Sequence, residues 1–158
     1  MQNPAKLVHV SVYTDGSASF KSGTGGWAFV AIKGSEVAEI YGFSDKTTIG
    51  EMELTAIHEA FKWLPLGPSP IRVFCDSQYA VNCLNVWGAN WAERNWFAGQ
   101  GKRPCHWRLI KAMLEAIEVH RRRRSVSIIW LPGHSKHRHN ERADVLCGKA
   151  RKEQICNV

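Results

Sequence analysis

No stretch of this chain stays apolar long enough to cross a bilayer, which takes about 20 consecutive residues. The opening residues, Met1 to Lys6, are polar and lack the apolar run of a secretory signal, so a cytoplasmic location is expected. Paired cysteines are missing too: Cys75, Cys83, Cys105, Cys147 and Cys156 are odd in number, scattered, and never spaced as Cys-x-x-Cys. That argues against a disulfide framework and a structural zinc site, and leaves buried or idle thiols in a reducing compartment. Repeats, low-complexity linkers and breaks in composition are absent, so the 158 residues read as one domain, 1–158, long enough to bury a core. Acidic residues are the minority, 14 against 21 Lys and Arg, for a net charge of +7. Such a balance favours a polyanionic partner, nucleic acid first. A basic chain that still gathers carboxylates in one place is expected to hold a cation there.

The apolar residues fall into two periodicities. Leu7 to Thr14 alternates around Val8, Val10 and Val12, as a strand does. Beyond a glycine turn at 23–26, Trp27 to Lys33 and Glu36 to Phe43 read as two more strands, joined by the hairpin dipeptide Gly34-Ser35. Glu51 to Leu64 switches to helical period, with Ile57, Ala60, Phe61 and Leu64 on one face and Pro65 ending it. A strand at Ile71 to Cys75, a helix over Ser77 to Trp87, a helix from Trp107 to about His120, a strand at Ser125 to Leu131 and a last helix from Glu141 follow. Gly88 to Pro104, rich in tryptophan and glycine, fits neither period. The order predicts an α/β domain, a mixed sheet with helices packed on it.

Two acids end strands, Asp15 in Thr14-Asp15-Gly16-Ser17 and Asp76 in Cys75-Asp76-Ser77-Gln78. Ligands gather outside the carboxyl ends of strands in such sheets, and carboxylates facing one another there need a proton or a metal between them. Glu53 opens a helix and Asp144 lies in the last one, so both can point at the same strand ends. Hard oxygen donors suit Mg²⁺ or Mn²⁺. Each acid also has a local reading: Asp15 as a turn former, Asp76 as a helix cap, Glu53 as a complement to the helix dipole, Asp144 as a solvated residue. Taken singly, none identifies a site.

Taken together, Thr14-Asp15-Gly16-Ser17, Gly25-Gly26-Trp27, Met52-Glu53-Leu54, Asp76-Ser77-Gln78-Tyr79, Gly133-His134 and Asn140-Glu141-Arg142-Ala143-Asp144 resemble the bacterial-type (type 1) ribonuclease H family. The pieces occur in the family's order and at matching spacing, over essentially the whole chain. The resemblance implies the ribonuclease H-like fold, a five-stranded mixed sheet with helices on both faces. It implies an endonuclease that hydrolyses the RNA strand of RNA–DNA hybrids, leaving 5′-phosphate and 3′-hydroxyl ends. Asp15, Glu53, Asp76 and Asp144 would hold two Mg²⁺ ions, with Mn²⁺ a possible substitute, one ion activating water and the other stabilising the leaving oxygen. His134 matches a loop histidine that shuttles a proton or aids product release; with His137 and His139 it has the alternative of a transition-metal site. Gly16, Ser17, Lys21, Thr48, Gln78, Trp87 and Asn140 would touch substrate, with helix start the alternative for Asn140. A monomer is expected.

Two stretches depart from the family pattern on substrate contacts. Phe20-Lys21-Ser22-Gly23 replaces a Gly-Asn-Pro-Gly loop, and Ile49-Gly50-Glu51 replaces paired asparagines that reach the minor groove, where RNA shows its 2′-hydroxyls. Lys21 can supply a phosphate contact instead. Residues 88–104 correspond to the family's basic protrusion but carry only Arg94, Lys102 and Arg103 against Glu93, and their tryptophans read mainly as packing. Arg121 to Arg124 reads equally as a solvated helix end or a phosphate-binding patch, and deep burial of that run is not expected. Two rivals follow from these departures: a fold of this kind that binds hybrids but cuts poorly, and the same chemistry on another nucleic acid.

Overall fold

Extended pairing begins at Val10, where β1 (Val10–Ala18) first gains neighbours on both sides, in the computed structural model, which describes residues 7–158. Leu7 and Val8, expected in this strand, precede its first partners and are half exposed. Met1–Lys6, which bear on the signal-sequence expectation, lie outside the described residues. β2 (Gly25–Lys33) and β3 (Glu36–Ser44) form a hairpin across Gly34-Ser35, and Gly34 takes the positive φ of 60° that this turn requires. β4 (Ile71–Cys75) and β5 (Val126–Trp130) complete a sheet of order β3-β2-β1-β4-β5, antiparallel at β3-β2-β1 and parallel at β1-β4-β5.

Period-two alternation sends side chains to two faces, and each face has its own core. Val12, Phe29 and Val73 meet α1 (Ile49–Trp63) and α4 (Trp107–Arg121), where Leu54, Ile57, Ile110, Met113 and Ile117 are fully buried. Each such side chain contributes roughly 1.5–3 kcal/mol. On the opposite face Tyr13, Ala28 and Val30 meet Ala143, Leu146 and Cys147 of α5 (Arg138–Glu153). The expected fold, helices on both faces of a five-stranded mixed sheet, is the one observed.

Local chemistry moves the helix ends. Thr48 accepts the Glu51 N–H and starts α1 two residues before the expected Glu51. α5 likewise begins at Arg138 instead of Glu141. The helix after β4 runs as α2 (Gln78–Asn82), a π-helical turn (Cys83–Trp87) and α3 (Gly88–Glu93), so it extends six residues into the stretch that showed no period. Trp96 is buried and packs near Trp107, as the packing reading requires, whereas Trp87 is 38% exposed. The Arg103 guanidinium lies over Phe97 and Trp107, 4.3 and 4.2 Å from the ring centres, and so frames the protrusion.

The arginine run requires a correction. Arg121, Arg122 and Arg123 are exposed, but Arg124 is buried. Its guanidinium donates to the carbonyls of Ser69 (3.3 Å) and Pro65 and to His120 Nδ1 at 2.6 Å. His120 Nε2 donates in turn to the Phe61 carbonyl at 2.9 Å. A cation placed among carbonyl oxygens can be buried without a carboxylate, and this one ties α1, α4 and the loop ahead of β4 together. It stands at the amino ends of β4 and β5, opposite the strand ends that carry the acids.

Candidate active site

Register alone brings the first two acids together. Thr14 pairs with Cys75 at the end of the parallel β1-β4 ladder, so Asp15 and Asp76 stand at the same level just past it, about 4.8 Å apart. Asp76 follows the end of β4, but Asp15, expected to end its strand, lies within β1 and pairs with Ala28. β1 continues as strand to Ala18, which removes the turn-forming reading of Asp15. Ser77, not Asp76, caps α2, accepting the Ala80 N–H at 3.2 Å, so the Asp76 carboxylate is left free. Glu51 occupies the first turn of α1, and Glu53 is buried one step deeper.

Two glycines let helices from both faces close on these strand ends. A Cβ at Gly16 would overlap the backbone of Met52 and Glu53, so α1 packs directly on β1 and delivers Glu53 to Asp15. A Cβ at Gly26 would overlap the Cys147 carbonyl and crowd Arg151, so α5 packs directly on β2 and delivers Asp144. Carboxylate oxygens of Asp15, Glu53 and Asp76 all lie within 4.8 Å of one another, and so do donor atoms of Asp15, Asp144 and the Cys147 thiol. Asp15 belongs to both groups.

The electrostatics follow from this crowding. Asp15 is 6% exposed, and burial, then the Asp76 charge, pushes its carboxyl up to about 7, against the pull of the Gly16 N–H donated to it at 2.8 Å. Burial raises Glu53 well above the usual range, with Asp15 and Asp76 adding to it. Asp76 is raised by burial too, while Asn140 beside it acts in the opposite sense. Neither ion pair among the described residues, Lys62–Glu59 or Arg142–Glu39, touches this set. Four acids with no cationic partner fit a divalent cation.

His134 is exposed, with φ of 55°, on the loop after β5, and a Cβ on the preceding Gly133 would stand 3.5 Å from Asp76 Oδ2. The three loop histidines do not converge on one point: His137 stacks on Tyr13 and His139 packs tilted against it, 4.7 and 5.3 Å between ring centres. Asn140 is buried inside α5, so it neither caps that helix nor faces solvent. Ser17 Oγ accepts from Arg151 Nε at 2.9 Å. Thr48 Oγ1 lies 3.3 Å from His106 Nε2. Lys21 is exposed on the β1-β2 turn, and a cleft of about 200 Å³ between Ala18–Phe20 and Thr47–Ile49 separates that turn from Thr48. Gln78 is exposed at the start of α2.

Cys147 was read as an idle thiol, yet it stands in the carboxylate set. The signal was available: residues three apart on a helix share a face, and Cys147 follows Asp144 by three. At Gly50, where the family pattern has an amide, a Cβ would meet Tyr79 Cε1 at 3.2 Å and His106 Cε1 at 3.6 Å. Those two rings fill the place of the missing side chain.

Comparison with known proteins agrees with this architecture. The family model described as RNase H matches residues 8–152. A protein named Ribonuclease H from Ralstonia nicotianae is 36% identical over 143 residues, covering 90% of this chain and 91% of its own. Another of that name, from Hahella chejuensis, is 35% identical over 149 residues, covering 92% and 95%. The crystal structure of LC9-RNase H1, described as a type 1 RNase H with the type 2 active-site motif, superposes with a TM-score of 0.81 over 98% of this chain and 77% of its own, at 23% identity, and so speaks to the fold. With the family model spanning nearly all of its length, this chain belongs to the bacterial-type ribonuclease H family.

Proposed function

We propose that this chain is an endonuclease that hydrolyses the RNA strand of RNA–DNA hybrids with two divalent cations, leaving 5′-phosphate and 3′-hydroxyl ends. One observation carries the reading: a buried carboxylate, Asp15, is shared by two donor groups that no cationic side chain of the described residues neutralises. Asp15, Glu53 and Asp76 would hold one ion and Asp15 and Asp144 the other. When bound, Mg²⁺, or Mn²⁺ in its place, supplies Lewis-acid stabilisation of charge at the scissile phosphate.

The chain's own residues do the rest. Gly16 keeps Asp15 oriented through its N–H. Asn140 favours the ionised form of Asp76, which a cation requires. His134, on an exposed loop next to Asp76, can take up and release a proton without rearranging the core. Ser17 and Gln78 would contact the hybrid near the cut, with the buried Gly16 and Asn140 supporting Asp15 and Asp76 behind them, and Lys21, Thr48 and Trp87 on phosphate or sugar further along. The same reading makes the chain a single-domain monomer of the cytoplasm.

The test uses an end-labelled RNA–DNA hybrid with Mg²⁺, with Mn²⁺ and with neither, beside duplex RNA, duplex DNA and an Asp76→Asn variant. Metal-dependent cutting confined to RNA in the hybrid, and lost in Asp76→Asn, is expected. A wild type that binds the hybrid yet leaves it whole with either ion overturns the reading in favour of a binding module. Cutting of duplex DNA or RNA instead would reassign the substrate.

A further inference from the structure

A thiol is a foreign donor among carboxylates meant for a hard cation, and Cys147 offers one. We infer that Asp15, Asp144 and Cys147 form a binding site for a thiophilic divalent cation, Zn²⁺ or Cd²⁺, on the α5 side of the carboxylate set. The three donor atoms lie within 4.8 Å of one another. Tetrahedral zinc, with bonds of roughly 2.0–2.3 Å, spaces its ligand atoms about 3.3–3.8 Å apart, so the donors need to draw in by about 1.5 Å at most. Asp144 is exposed and gives the ion its way in, whereas Asp15 and Cys147 are buried. A second feature points the same way. One helical turn before Asp144, Asn140 is 3% exposed and lies against Asp76, yet its Oδ1 has no hydrogen-bond partner. That is a buried acceptor suited to water on a bound ion.

Sulfur coordination forms one metal–sulfur bond and sends the thiol proton to solvent. Mg²⁺ and Mn²⁺ gain little from such a donor and prefer oxygen, while Zn²⁺ and Cd²⁺ gain most. The α5 position therefore favours a thiophilic ion, which would occupy Asp15 and exclude a catalytic cation. This rests on the proposed function only for its effect on cleavage; the binding itself does not depend on it.

The experiment titrates Cd²⁺ into the whole chain without substrate, following the ultraviolet charge-transfer band of a cadmium–thiolate bond. The exposed thiols are first removed as Cys105→Ser and Cys156→Ser. One equivalent of band is expected, lost or weakened about tenfold or more in Cys147→Ala, and weakened likewise in Asp144→Asn, where every thiol remains. An undiminished band in Cys147→Ala overturns the inference. Cys147→Ser, with thermal melting of each variant, separates a lost ligand from a lost fold. In cleavage assays, Cd²⁺ should inhibit Cys147→Ala about tenfold less than its parent, each scaled to its own rate with Mg²⁺. Equal inhibition of the two overturns the effect assigned to the thiol. A band with no cleavage under Mg²⁺ would sink the functional reading and leave this site standing.

Discussion

A carboxyl held at about 7 makes Asp15 a stability switch as well as a ligand. Between its ordinary value of 3.8 and about 7, the folded cation-free chain keeps a proton that the unfolded chain has released. Its contribution is therefore present at the acid end and is lost as pH rises across that window, on the order of 4 kcal/mol in all. Chemical denaturation of cation-free protein at pH 5 and pH 7.5 should show part of this loss, and Asp15→Asn, which also relieves Glu53 and Asp76 of its charge, should reduce the difference while abolishing cleavage. If Asp15→Asn keeps the full pH dependence, the proton resides elsewhere in the set. His134 is exposed on its loop, where its charge opposes the upward shift of Asp76. His134→Ala should lower kcat with little change in melting temperature, checked by steady-state kinetics on the hybrid.

Elements meet at this site through backbone. Gly26→Ala should cost about 1–3 kcal/mol and should also lower kcat, because the added methyl pushes α5, and Asp144 with it, away from β2. Urea denaturation beside kinetics checks both halves. At the other end of the sheet, Arg124→Met should cost about 1–3 kcal/mol by stranding the Ser69 and Pro65 carbonyls and the His120 nitrogen. Its hybrid binding should keep the same salt dependence, since a buried arginine releases no counterions. The strands, α1 and α4 were legible because period and caps act locally; the four acids were legible only through the resemblance of their motifs to a known family, since none identified a site singly. Three features were not. Residues 88–93 hide the continuation of a helix, because the π-helical turn at Cys83–Trp87 breaks the 3.6-residue period just where glycine and tryptophan begin. Arg124 looked solvated because its acceptors are carbonyls from 55 and 59 residues away. Cys147 looked idle because its neighbour Asp15 arrives from the far end of the chain.

For the molecule as a whole, the crowded acids are a fault in the fold, and cations should repair it. Mg²⁺ at about 100 times its dissociation constant should stabilise the protein by about 2.7 kcal/mol, read as a rise in melting temperature that Asp76→Asn largely removes. The chain as a whole is net positive, so hybrid affinity should fall steeply with salt while Mg²⁺ affinity falls less. The joints at Gly16 and Gly26 carry a different implication. The nearest atoms facing both glycines are backbone, so most substitutions in the surrounding core leave the spacing of the helices at that end unaltered. Sequence drift can rewrite the packing of this fold piece by piece, and the distance between its carboxylates will be among the last quantities to change.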